Sequence, residues 1–193
     1  MKKDLLLLIF LLLTFSSSLL AQHPHNEYKN DIGITAGFRS MMGLLSNPVS
    51  PTIRHNPYGN YGLHYYYQVK HWCQVGVKVN SEISKRTIFE ENRPYLVSRQ
   101  DMLTHLSLMP SVRFSYLNRP WVRLYSGVDL GCGYFLCTPT KLDPNPENTI
   151  SKRLYFAYDV TPIGVEVGRK FYGLVETNIG YDSFVKAGIG FRF

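Results

Sequence analysis

Beyond position 21 the chain has no run of the ~20 apolar residues that a bilayer-spanning helix needs, so any crossing of a membrane by the later chain is not helical. Cysteine is scarce: the 193 residues hold three, an odd number, at spacings that fit neither a disulfide framework nor a zinc site. Cys132 and Cys137 would fall on opposite faces of a continuous strand, so a bridge between them needs a bend, and Cys73 reads as a small apolar residue. Charged residues are few, 18%, while aromatics reach 14%, which excludes a disordered chain. Despite a net charge of +7 there is no basic run to track a phosphate backbone, so nucleic acid is not an expected partner. Fifteen Gly and 11 Pro are too few for a fibrous repeat, and the length suits one domain.

What is present begins with an address. Lys2 and Lys3 precede the apolar run Leu5–Leu13, the patch Ser16–Ser18 and Leu19-Leu20-Ala21, the pattern of a cleaved secretory signal peptide over 1–21. Cleavage after Ala21 leaves a flexible segment over 22–30, and removing the leader lowers the net charge by one. No Cys stands at the cut, which disfavours a lipoprotein. His23 and His25 are two ligands at most, no closed metal site, and no cofactor is expected.

From residue 31 the dominant period is two, and the 14 Tyr and 11 Phe suit a pleated surface. Eight strands are expected, at 31–39, 59–70, 72–84, 102–116, 121–136, 153–168, 171–180 and 184–193. Their connections differ in length. Those at 70–72, 117–120 and 168–170 are tight, as is the last near Tyr181-Asp182-Ser183, whereas 40–58, 85–101 and 137–152 are long and polar. Tight turns on one rim and longer loops on the other predict an all-β, eight-stranded, antiparallel up-and-down transmembrane barrel over 31–193, in the outer membrane, with both ends on the inner side.

Each strand has an apolar and a polar face. In 102–116, Met102, Leu106, Leu108, Val112 and Phe114 oppose His105, Ser107, Ser111, Arg113 and Ser115; in 72–84, Val75, Val77 and Val79 oppose Gln74, Lys78 and Asn80. Segment 153–168 changes phase, and a bulge at Thr161-Pro162 would absorb the slip. Alternation does not say which face is outside, and a soluble periplasmic lipid-binding barrel of lipocalin type would turn the apolar face inward. Glycine placement favours the membrane. Gly33, Gly37, Gly62, Gly76, Gly127, Gly131, Gly133, Gly164, Gly188 and Gly190 share the polar face, where a narrow interior needs small neighbours for long side chains. Trp72, Trp121 and Tyr116 beside the tight turns, with Tyr61, Tyr134 and Tyr158 nearer the long loops, suit interfacial girdles.

The expected interior carries Arg39, Lys70, Lys78, Arg113, Arg123, Arg153, Lys186 and Arg192 against Asp31, Glu82, Asp129, Asp159, Glu166 and Glu176, with His64 and His105. Charges enclosed in so narrow a space must pair or meet water, so a salt-bridged plug is expected rather than a pore. His64 or His105 with Ser107 or Asp129 would be the only raw material for a hydrolase, and no spacing marks them as a set. An enzyme is therefore not expected. The loop stretch Arg86–Tyr95 mixes both charges with aromatics and reads as a solvated loop with anchoring rings or as a partner surface.

Two stretches carry a family likeness: Thr161-Pro-Ile-Gly-Val-Glu-Val-Gly-Arg-Lys-Phe-Tyr-Gly-Leu-Val-Glu176, and Ala187-Gly-Ile-Gly-Phe-Arg-Phe193. With them, the span Asp31 to Phe193 resembles the small outer-membrane β-barrel domain family of PorT-like proteins of the Bacteroidota. Phe193, with Phe191 and Ile189 on its face, resembles the C-terminal signal read by the barrel-assembly machinery. The resemblance implies structural, adhesive or secretion-associated roles and transfers no catalytic residue. The expectation is thus a monomeric outer-membrane barrel whose partners are membrane lipid, the assembly machinery and a protein or surface ligand at the external loops. An accessory barrel of a secretion system is the second reading.

Overall fold

The computed structural model describes residues 28–38, 53–90, 93–141 and 150–193. The expected leader, the segment 22–27 and Arg39 lie outside them. Eight antiparallel strands follow one another around a closed ring: β1 (Asn30–Gly37), β2 (Ile53–Lys70), β3 (Cys73–Glu90), β4 (Arg93–Asn118), β5 (Val122–Lys141), β6 (Ser151–Gly168), β7 (Phe171–Gly180) and β8 (Val185–Arg192). Closure comes from β1 pairing with β8, Asp31 opposite Arg192 through Gly37 opposite Lys186. Within the closed part of the ring no strand edge is left unpaired.

The faces fall as alternation requires. Ile32, Ile34, Leu63, Leu106, Leu108, Val128, Leu130, Val175 and Ile189 are exposed on the outside. The side chains of the opposite parity, among them His64, Lys78, Arg113, Asp129 and Glu176, are buried within. The soluble lipocalin-type alternative therefore falls, because the apolar face is the outer one. The phase change in β6 is a bulge where expected: Thr161 pairs with Gly127 and Gly164 with Tyr125, so Pro162 and Ile163 both point outward. Ser126 Oγ donates to the Pro162 carbonyl across it, 2.6 Å.

One of the expected long loops, 85–101, is largely strand, and the other two are shortened by strand at their ends. β3 and β4 run on as a hairpin through most of 85–101, β5 reaches Lys141, and β2 begins at Ile53. Charge and proline suggested loops there, but a hairpin that projects into water is wet on both faces and needs no apolar side. The strands are consequently very unequal, from 8 residues in β1 and β8 to 26 in β4. β2 continues from Asn60 back to Ile53 beyond the end of β1, and β6 from Asp159 back to Ser151 beyond the end of β7. A five-stranded wall, β2 to β6, thus projects from the end opposite the tight turns.

The inward glycines make room for rings. Directly cross-strand pairs set Tyr66 against Gly76, Tyr125 against Gly164, Tyr155 against Gly133 and Tyr172 against Gly190. A Cβ at Gly164 would sit 2.3 Å from Tyr125 Cζ, and one at Gly190 2.2 Å from Tyr172 Cζ. Gly173 differs: it faces outward, and its nearest neighbour would be 4.0 Å away. Gly164→Ala should therefore destabilise the barrel by about 1–3 kcal/mol, as overpacking does. Gly173→Ala should be near neutral in the same urea titration; equal losses would show that the ring-on-glycine contacts do not matter.

Candidate functional site

Aspartate, glutamate, lysine and arginine from seven strands and the β7–β8 turn meet in the ring, because each strand aims every second side chain at a common axis. Arg113 on β4 lies at the centre with 1% of its side chain exposed. Its Nη1 donates to Glu166 Oε1 at 3.1 Å and its Nη2 to Glu176 Oε1 at 2.6 Å. Its guanidinium lies between rings, 3.8 Å from the centroid of Tyr66 and 4.5 Å from that of Tyr125. The Tyr125 hydroxyl also donates to Glu176 Oε1. One glutamate thus holds an arginine, a tyrosine and, through its other oxygen, Lys186 at 3.0 Å and Lys78 at 3.9 Å.

Toward the tight-turn end, Arg123 and Arg192 share Glu166 Oε2 at 3.2 and 2.5 Å, with Asp31 Oδ2 at 3.5 and 3.7 Å. Arg192 also donates to the carbonyls of Gly168 and Arg169, tying the β6–β7 turn to the plug. Toward the projecting end, Lys78 meets Asp129 at 2.6 Å, and Ser111 donates to the same carboxylate. Lys186 pairs with Asp182 of the β7–β8 turn. That turn folds over the ring: Asp182 and Ser183 are wholly buried, and the Asp182 amide donates to Asp159 Oδ1 at 3.4 Å. Above it sits an aromatic layer, with Tyr181 4.8 Å from Tyr155 and His105 4.7 Å from Phe135.

Of the expected interior set, Lys78, Arg113, Arg123, Asp129, Asp159, Glu166, Glu176, Lys186 and Arg192 are buried in this network. Arg153 is not: it lies on the inward parity of β6 but above the plug, exposed in the projecting wall. Lys70 is likewise exposed, at the tight-turn rim, its ammonium 5.6 Å from the Trp72 ring. Two buried carboxylates were not anticipated. Asp182 sits in a turn, and Asp101, within a stretch read as loop, is clamped by Arg86 at 2.5 Å and Arg99 at 2.7 Å. Its hydrogen bond raises the Arg99 guanidinium above its ordinary range. The near balance expected inside, eight basic against six acidic, shifts to the acidic side, since five basic and eight acidic side chains are buried among the described residues. Alternation alone could not have found Asp182; its burial follows from the turn folding inward over β7 and β8.

The raw material for a hydrolase is scattered. His64 Nε2 lies 3.2 Å from the Tyr172 hydroxyl and 4.0 Å from Asp31, while His105 is on the aromatic layer, 3.5 Å from the Tyr155 hydroxyl. Asp129 is occupied by Lys78 and Ser111. Among the described residues no group of three or more His, Cys, Asp or Glu side chains is placed to hold a metal ion. The three cysteines are free, Cys132 exposed on the outer wall and Cys137 buried on the inward one, and burial pushes the Cys137 thiol up. Ile189 and Phe193 are exposed on the outer wall, and the Phe191 ring stands 4.8 Å from Phe171 and 5.9 Å from Phe193.

No protein-family profile matches the chain, and no curated protein does. Among solved structures it is similar to Ail, the attachment invasion locus protein of Yersinia pestis, at 16% identity with a TM-score of 0.46, covering 86% of this chain and 99% of that one. It is also similar to the N-terminal β-barrel domain of Pseudomonas aeruginosa OprF, at 13% identity with a TM-score of 0.41, covering 86% of this chain and all of that one.

Glu176 carries the densest set of charges, so Glu176→Gln leaves Lys78, Lys186 and Arg113 undercompensated and should destabilise the barrel by about 3–5 kcal/mol. Arg153→Ala should change stability by no more than about 0.5 kcal/mol. Equilibrium urea unfolding of the two variants measures both, and an unaffected Glu176→Gln would mean that the plug is not held by its charges.

Proposed function

We propose that this protein is an integral outer-membrane β-barrel that is closed to solutes and serves a structural or surface-interaction role through its projecting wall and external loops. The observation that carries the reading is the inverted distribution of side chains. Arginine, lysine and carboxylate fill the interior while isoleucine, leucine, valine and aromatic rings cover the outside. In water such a surface would be a large uncovered apolar patch; in lipid it is the required one. No helix among the described residues is long and apolar enough to cross a membrane, so the strands would do so. The 8 to 10 residues of β1, β7 and β8 match the ~9–11 a tilted strand needs.

Trp121 and the stacked Trp72 and Phe114 would mark the inner interface, and Tyr61 and Tyr158 the outer. The leader supports export, the pattern Ile189, Phe191, Phe193 supports delivery to the barrel-assembly machinery, and the C-terminal resemblance supports PorT-like membership. A packed lumen leaves no conduit for solutes. The part of β2 to β6 that exceeds a bilayer crossing is what remains to meet a partner.

The washed outer-membrane fraction should contain the protein as a band whose gel mobility shifts between unboiled and boiled samples. Val175, 51% exposed at the middle of β7, gives a sharper test. Val175→Lys should cost about 2–4 kcal/mol in lipid, whereas the same change on a water-facing surface would be nearly neutral. An unshifted band in the soluble periplasm would overturn the membrane reading. Shortening the β3–β4 hairpin between Arg86 and Arg99 should leave the mobility shift intact and abolish surface adhesion. If export of a cargo fails instead, the accessory-barrel reading replaces the surface one.

A further inference from the structure

The outer wall is not uniformly convex. A shallow open groove of about 640 Å³ runs across β6, β7, β8, β1 and β2 on the tight-turn half of the barrel, lined by Gly173, Phe171, Val167, Phe191, Ile189 and Ile34 among others. On the outer face of β7, Gly173 falls between the large apolar side chains Phe171 and Val175. Its missing side chain is not filled by a neighbour, unlike those of the inward glycines, since nothing lies closer than 4.0 Å to where a Cβ would be.

A cation marks the mouth of the groove. The Lys170 ammonium lies 5.2 Å from the centroid of the Phe191 ring, one of its walls. Around the same rim Lys29, Lys70, Arg119 and Arg169 are also exposed, and no exposed acidic side chain accompanies them among the described residues. An apolar trough that ends at a positive rim is complementary to a molecule with a hydrocarbon tail and an anionic head. A second copy of this chain fits it poorly, because a symmetric contact would bring the positive rim against itself.

We propose that the groove holds an acyl chain of one anionic glycerophospholipid from the leaflet on the tight-turn side, with Lys170 pairing with its phosphate. The proposal rests on the membrane-spanning reading above and gives it a specific lipid site. The headgroup selects through charge, the trough through shape.

The test uses the full-length protein in vesicles of equal parts dioleoylphosphatidylcholine and dioleoylphosphatidylglycerol, extracted in mild detergent, with retained lipids counted by native mass spectrometry. Wild type should retain phosphatidylglycerol over phosphatidylcholine by about fivefold, the worth of one lysine at a membrane surface. Lys170→Gln should lose that preference while Lys70→Gln keeps it. Gly173→Leu, which fills open space on a lipid-facing wall and so leaves the fold intact, should retain less of either lipid. Equal retention of the two lipids by wild type, equal loss in the two lysine variants, or a retained dimer dispersed by Gly173→Leu would each overturn the proposal. Failure of the wild type to enter vesicles with a shifted mobility would overturn the membrane reading and this site together. Entry without lipid preference overturns the site alone.

Discussion

An eight-stranded ring encloses a space only as wide as the side chains that fill it, and every feature of this interior follows from that limit. Five buried cations are cut off from bulk solvent there, and carboxylates, phenols and backbone carbonyls take the place of their hydration. Arg113 shows how tightly the demand is met: two glutamates take its Nη atoms, and two tyrosine rings cover its faces. Those rings fit only because the strand opposite each of them carries glycine, Gly76 beside Tyr66 and Gly164 beside Tyr125. The glycines, the tyrosines and the ion pairs are therefore one solution to one packing problem rather than three separate features.

The same limit explains what could be read in advance. A period of two with ten glycines on the polar face located the ring, its strand order and its polar side, and the phase change around Thr161-Pro162 located a bulge. The glycine pattern even implied large inward neighbours, though not that they would be tyrosines paired directly across the ladder. Strand ends were less legible. Arg86, Arg99 and Asp101 looked like loop residues because they are charged, yet they form a clamp on a continuous hairpin. Alternation identifies a strand only where its two faces meet different surroundings, and in the projecting wall they do not. Asp182 and Arg153 failed in opposite directions for a related reason: parity gives the face of a strand but not the height along the axis, so a turn residue fell inside and a strand residue fell above the plug.

The inequality of the strands has a structural consequence at the closing seam. β7, β8 and β1 are the short strands of the ring, and the turn between β7 and β8 takes up the missing height by folding Asp182 and Ser183 over the plug. Asn178 anchors it, accepting from the Thr161 hydroxyl at 2.7 Å and donating to the Ser183 carbonyl at 3.2 Å. Tyr181 then joins Tyr155 and Tyr158 of β6, so the low side of the barrel is sealed against the tall one by rings. The seal leaves the projecting wall as the part of the chain unconstrained by the lumen, and that is where sequence can change without disturbing the ion network.

Why the interior is charged at all is a question of specificity rather than of strength. Buried ion pairs seldom stabilise a fold beyond what well-packed apolar side chains achieve. A barrel apolar on both faces, however, would have no means of fixing its register, because a one-residue slip of any strand would exchange two equivalent sides. Here such a slip in β4 would turn Arg113 and Ser111 to the outer face and bring Val112 and Phe114 inward, with Glu166 and Glu176 left facing no cation from that strand. The cost of leaving buried carboxylates without their cations is therefore what disfavours the wrong pairings. The plug closes the lumen and, by the same contacts, determines which way every strand faces.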